Sequence, residues 1–208
     1  LAYPPVLRQV LALLRCGYFT TGSAEPRLLV APEIVCGSPE HSVFAAAAWV
    51  AFVLFGLGVP AAVVWLVYPH RRQLGLFSTK VHVGVLSAEY ELSYYYWDAV
   101  VLLRRCAVIL ASTLTPDAPP EMRLALLLGI GIMATVLQHA AQPFDNRSGL
   151  LLDVLEGQGL KVFCVSAAVM ILGFSNVLDP IVASILVLVF ALVHIVFLAR
   201  LLLLFVIQ

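Results

Sequence analysis

The chain has 208 residues, 62% of them hydrophobic and 12% charged, with 12 basic and 12 acidic side chains and a mean hydropathy of +1.01. That composition excludes an ordinary soluble domain and identifies an integral membrane protein. A net charge of zero, with no basic patch interleaved with aromatics, also argues against a nucleic-acid partner.

Residues 1–15 (LAYPPVLRQVLALLR) are too short to cross a bilayer alone and read as the last turns of a transmembrane helix. Neither an initiator Met nor a signal-peptide layout is present, so a fragment or mature piece of a longer chain is expected. Residues 16–42 form a loop rich in Gly, Pro and polar residues, bracketed by Cys16 and Cys36. On an oxidising outer face these two are expected to pair, stabilising the fold by about 3 kcal/mol through loop closure. Metal binding is the competing reading, but no CxxC or nearby His pair supports it.

Residues 43–208 are expected to form a helical bundle. Val43 to Val67 is the first full span and holds Gly56, Gly58 and Pro60, which mark a hinge or a close packing site. Trp97 to Leu114 is the second, apolar apart from Asp98 and Arg104-Arg105. Glu121 to Ala140 is the third, with Gly129 and Gly131 suggesting close packing. Gly159 to Phe174 is the fourth, preceded by an amphipathic lead-in over 150–155. Asp179 to Gln208 is the fifth, almost wholly apolar except for Ser184, His194 and Arg200. A run of that length, apolar on every side, needs a bilayer around it. Backbone groups in lipid must bond internally, so these segments are helices, and the alternating pattern of a β-barrel is lacking. The expected architecture is an all-α polytopic transmembrane bundle of about five full spans plus the tail of a sixth.

Lys and Arg in the short loops orient the bundle. Arg71, Arg72, Lys80, Arg147 and Lys161 place Tyr68 to Tyr96, Gln142 to Gly159 and the C-terminus in the cytoplasm, with Arg15 to Ser42 outside. Asn146-Arg147-Ser148 matches a glycosylation acceptor, which this orientation predicts to be unused.

Two clusters stand out near the cytoplasmic face. Tyr94, Tyr95, Tyr96 and Trp97, with Tyr90 nearby, read as an interfacial belt or as a lipid- or tension-sensing cuff. Asp98, Arg104 and Arg105 read as snorkelling charges paired with each other, Glu89 or Glu91. Alternatively, they join Arg71, Arg72 and Lys80 in a lipid-headgroup or gating site. Thr135, Gln138, His139, Ser166, Ser175, Asn176 and His194 read mostly as hydrogen bonds between helices. Asp153 and Glu156 share a helical face and are expected to cap or solvate the lead-in helix, while Cys106 and Cys164 read as small buried hydrophobes. Catalytic, phosphate-binding and dinucleotide signatures are lacking, so no enzyme and no cofactor is expected.

The order of these features resembles one family. Cys16 and Cys36 precede a span containing Gly58-Val59-Pro60. Then come Glu89-Tyr90-Glu91, Tyr95-Tyr96-Trp97-Asp98 and Leu103-Arg104-Arg105, and later Gln142-Pro143-Phe144-Asp145. The pattern is similar to the transient-receptor-potential-like (polycystin-like, flavin-carrier-like) membrane domain at the C-terminal end of large protist and algal surface proteins. The family pattern has Glu where this chain has Asp98. The resemblance implies a multi-pass domain in a plasma or ciliary membrane, attached to a larger extracellular region and conducting or regulating cations. The other readings are a non-conducting anchor or assembly subunit, and a transporter or receptor domain. Expected partners are the lipid bilayer and other membrane or extracellular subunits, or the rest of a longer chain.

Overall fold

A computed structural model describes residues 3–17, 25–71, 90–113, 115, 118–144, 151–174 and 179–207. They are predominantly helical and divide into two compact units. The first holds the described residues of 1–117 with Pro143 and Phe144; the second holds those of 118–142 and 151–207.

In the first unit, α1 (Tyr3–Ala12) buries Leu7 and Leu11 completely. These side chains form a core with Phe52, Cys106 and Ile109, so the short N-terminal helix is an integral part of this unit. A two-stranded antiparallel ribbon follows, β1 (Cys16–Gly17) against β2 (Arg27–Leu28), with Cys16 opposite Leu28. The Cys16–Cys36 disulfide closes this segment, as expected of two cysteines that bracket it.

Helix α2 (Pro39–Phe52) begins four residues earlier than the apolar run suggested, because its start is set by polar chemistry. Ser38 is in extended conformation and its hydroxyl accepts the His41 amide at 3.2 Å, while Pro39 supplies a pre-set φ. The helix continues through a π-turn (Val53–Leu57) into α3 (Gly58–Val67) and a 3₁₀ turn to His70. Helix α4 (Trp97–Thr113) completes the unit.

The second unit is a hairpin of α5 (Pro120–Ala141) and α6 (Leu151–Phe174), with α7 (Pro180–Ile207) packed less extensively on α6. Gln142 ends α5 in left-handed conformation (φ 45°), its amide bonded to the Gln138 carbonyl at 2.9 Å. The lead-in and fourth span form one continuous 24-residue helix, α6.

Among the described residues, four helical stretches are long and apolar enough to cross a membrane: Pro39–His70, Pro120–Ala141, Leu151–Phe174 and Ile181–Leu203. None of the residues of Ile181–Leu203 is buried, as expected of a helix surrounded by lipid. The expected span over Trp97 to Leu114 is a helix of 17 residues, about 25 Å long, and falls outside these four.

Candidate functional site

Proline has no amide hydrogen, so Pro60 leaves the carbonyl of Gly56, four residues back, without its helical donor. The chain answers in two ways. It winds one π-turn, in which the Gly58 amide bonds the Val53 carbonyl instead. The freed Gly56 carbonyl then accepts the Tyr3 hydroxyl of α1 at 2.8 Å. Gly56 itself is buried, and a Cβ added there would meet the Phe52 ring at 3.2 Å and Cys106 Sγ at 3.4 Å. The three residues expected to act as a hinge, Gly56, Gly58 and Pro60, therefore lie in or beside a π-turn held by α1 and α4. A Tyr3→Phe variant, which keeps the ring, is expected to lose about 1 kcal/mol of stability. It should also speed amide exchange through Leu57–Ala61; unchanged exchange there would show that the hydroxyl does not hold the turn.

The second unit has its own polar node. Gln138 Nε2 donates to Asp153 Oδ1 at 2.8 Å, joining α5 to α6, and the two residues are only 2% and 8% exposed. Asp153 is therefore packed between helices and does not solvate a lead-in helix. Its carboxylate lies in the first turn of α6, where the helix dipole favours negative charge. Gln138 Oε1 is buried with no hydrogen-bond partner among the described residues, which a well-satisfied core avoids. His139 lies against Gly157, whose added Cβ would stand 3.7 Å from its ring.

Replacing Gln138 by Leu should cost about 1–3 kcal/mol, because the Asp153 carboxylate loses its amide donor. The double variant with Asp153→Leu should recover part of the loss. Denaturant unfolding in detergent, read as a double-mutant cycle, checks both outcomes.

Further along, Ser166 Oγ and His194 Nε2 are 3.2 Å apart and tie α6 to α7, with His194 Nδ1 2.9 Å from the Phe190 carbonyl. Thr135 donates to the Gly131 carbonyl at 2.8 Å and touches Cys164 Sγ at 3.8 Å. Of the polar residues expected to join helices, Gln138, Ser166 and His194 do so, Thr135 bonds its own helix while touching Cys164, and Ser175 and Asn176 lie outside the described residues. Cys106 is buried, Cys164 half-buried.

No family model matches this chain, and no solved structure matches it. It is similar to cysteine repeat modular protein A of Toxoplasma gondii, with 28% identity over 177 residues, or 81% of this chain. The chain spans about 6% of that protein's length.

The aromatic cluster forms a connected set of rings. Tyr94 meets Trp97 edge-on at 6.0 Å, Tyr95 meets Tyr96 at 5.5 Å, and Tyr95 reaches Tyr68 at 6.3 Å. Arg71 covers the Tyr68 ring at 3.7 Å. Tyr90 and Phe144 bridge as antiparallel backbone, with their rings 5.2 Å apart. Trp97 differs from its neighbours: it is 5% exposed, so it packs inward, while Tyr96 is exposed.

Of the expected headgroup or gating residues, Arg72 and Lys80 lie outside the described residues, as do Glu89 and the Asn146 acceptor. Asp98 and Arg104 are half-buried and Arg105 is exposed; Arg105 lies two turns along the same helix from Asp98. Sequence reasoning missed Tyr3 and His41, and it named Asp153 without its partner Gln138. Pro60 was the available signal for the first, since it announces a carbonyl in need of a donor.

Proposed function

We propose that this chain is a multi-pass membrane module that anchors a larger surface assembly. Its fifth span is Trp97–Thr113, and Tyr3–Ala12 is the end of a sixth. The Cys16–Cys36 segment faces outside and the C-terminus lies in the cytoplasm, with the plasma membrane as the favoured location. The observation that carries this reading is how the polar groups of the second unit are used. Gln138–Asp153 and Ser166–His194 bond helix to helix, while the exposed residues of α7 are mostly apolar. This arrangement holds a bundle together in lipid. The 6% share of a much longer cysteine repeat modular protein supports the same reading, that of a small membrane module within a large chain.

The test is a small reporter inserted between Gly22 and Ser23, in the segment between Cys16 and Cys36, with the chain expressed in cells. An anchor keeps the reporter with the membranes through alkaline carbonate washing and leaves it open to external protease. Release by carbonate, or protection from the protease, would overturn the reading.

The π-turn beside Gly56, Gly58 and Pro60 favours a second reading, a channel-like domain of the transient-receptor-potential-like kind, because single π-turns recur at functional sites. Its gating or headgroup residues would be Arg71, Arg72, Lys80, Asp98, Arg104 and Arg105. Discrete cation-selective openings in planar bilayers containing the purified protein would establish this second reading. Silence across voltage and tension, from protein shown to be folded, would leave the anchor.

A further inference from the structure

The Cys16–Cys36 disulfide has a histidine beside it. His41 Nε2 lies 3.9 Å from Cys16 Sγ, and both sulfurs and an imidazole nitrogen fall within 4.8 Å of one another. The residue is held at two points, one on its ring and one on its backbone. The Gly37 amide donates to His41 Nδ1 at 3.3 Å, and the His41 backbone amide is fixed by the Ser38 hydroxyl at 3.2 Å. Because Nδ1 accepts a hydrogen bond, the proton of the neutral ring sits on Nε2. Nε2–H is then a donor directed at Cys16 Sγ. The two sulfurs are consequently inequivalent: a thiolate formed on Cys16 receives a hydrogen bond, and departure of that sulfur is favoured. Both cysteines and His41 are half-buried, so the bond is within reach of a thiol from solution.

From this the geometry points to the Cys16–Cys36 bond as a site of directional thiol–disulfide exchange, with Cys36 the sulfur attacked and Cys16 the sulfur released. An incoming thiolate forms a new S–S bond to Cys36 Sγ as the Cys36–Cys16 bond breaks. The electron pair departs on Cys16 Sγ, where His41 Nε2–H stabilises it without transferring its proton. One disulfide is exchanged for one mixed disulfide, so no separate oxidant or reductant is consumed. The ligand class is a thiolate, either a small thiol or a protein cysteine, which this segment would capture covalently.

The test uses the full chain in nanodiscs, treated with glutathione, quenched with N-ethylmaleimide and mapped by peptide mass spectrometry. Glutathione is expected on Cys36 and maleimide on Cys16, with the opposite isomer rarer by about fivefold or more. His41→Ala keeps the backbone amide bonded to Ser38 and introduces a good helix former. It should slow opening of the bond by about fivefold and even out the two isomers. Offering a folded single-cysteine protein instead of glutathione separates the two sources of thiol. An adduct with both donors identifies a site open to protein cysteines, and one with glutathione alone identifies a small-thiol site. Equal labelling of Cys16 and Cys36 in the unaltered chain, or an opening rate indifferent to His41→Ala, would overturn the inference.

Discussion

Gly131→Ala is expected to destabilise the α5–α6 hairpin, and Gly131→Leu to prevent its assembly. A Cβ at this position would stand 2.8 Å from Phe163 Cδ1 and 2.9 Å from Cys164 Sγ, closer than van der Waals contact permits. The neighbours are a ring and a sulfur on the facing helix, so the two helices must separate or the ring must leave its rotamer. Overpacking of this kind costs about 1–3 kcal/mol for a single added carbon, and more for a larger side chain. Gly129 provides the internal control, because an added Cβ there meets nothing within 4 Å. Gly129→Ala should therefore gain up to about 1 kcal/mol from helix propensity. Unfolding in detergent should move in opposite directions for the two alanine variants; parallel shifts would sink the packing argument.

Cys16→Ser is the second substitution expected to have a large effect, a loss of about 3 kcal/mol in the chain-entropy model. The bond joins residues 20 apart and ties the β1–β2 ribbon to the turn preceding α2. Unfolding of the intact chain should fall to the level of the variant when a reductant is added, whereas the variant should be indifferent to it. A reductant effect of equal size in both would show that the loss arises elsewhere.

The sequence and the structure agree where apolar length decides the outcome. Runs such as Ile181 to Ile207 permit only a helix in lipid, and α7 is that helix. Helix ends were less legible because they follow caps; Ser38 and Pro39 begin α2 inside what composition alone assigns to the loop. The lead-in merges with its span because nothing between Leu151 and Gly159 breaks the helical ladder. Pairings across the chain were the least legible. The donor that satisfies Gly56 lies 53 residues away at Tyr3, and Asp153 is buried by Gln138 only in the hairpin's actual register. Charge at position 153 alone suggests solvent, and only knowledge of the facing helix reverses that.

The π-turn has a consequence for how this protein should be lined up against its relatives. A π-turn accommodates one extra residue without breaking the ladder, so it behaves as a one-residue insertion tolerated inside a helix. Each residue of an α-helix advances the wheel by about 100°, so α3 is rotated by roughly that angle from where α2 would have carried it. A single helical wheel drawn through Pro39–His70 therefore assigns one half of the span to the wrong face. Relatives lacking a proline at the position of Pro60 are expected to be one residue shorter across 53–57, a gap that marks the inserted residue and not a loop.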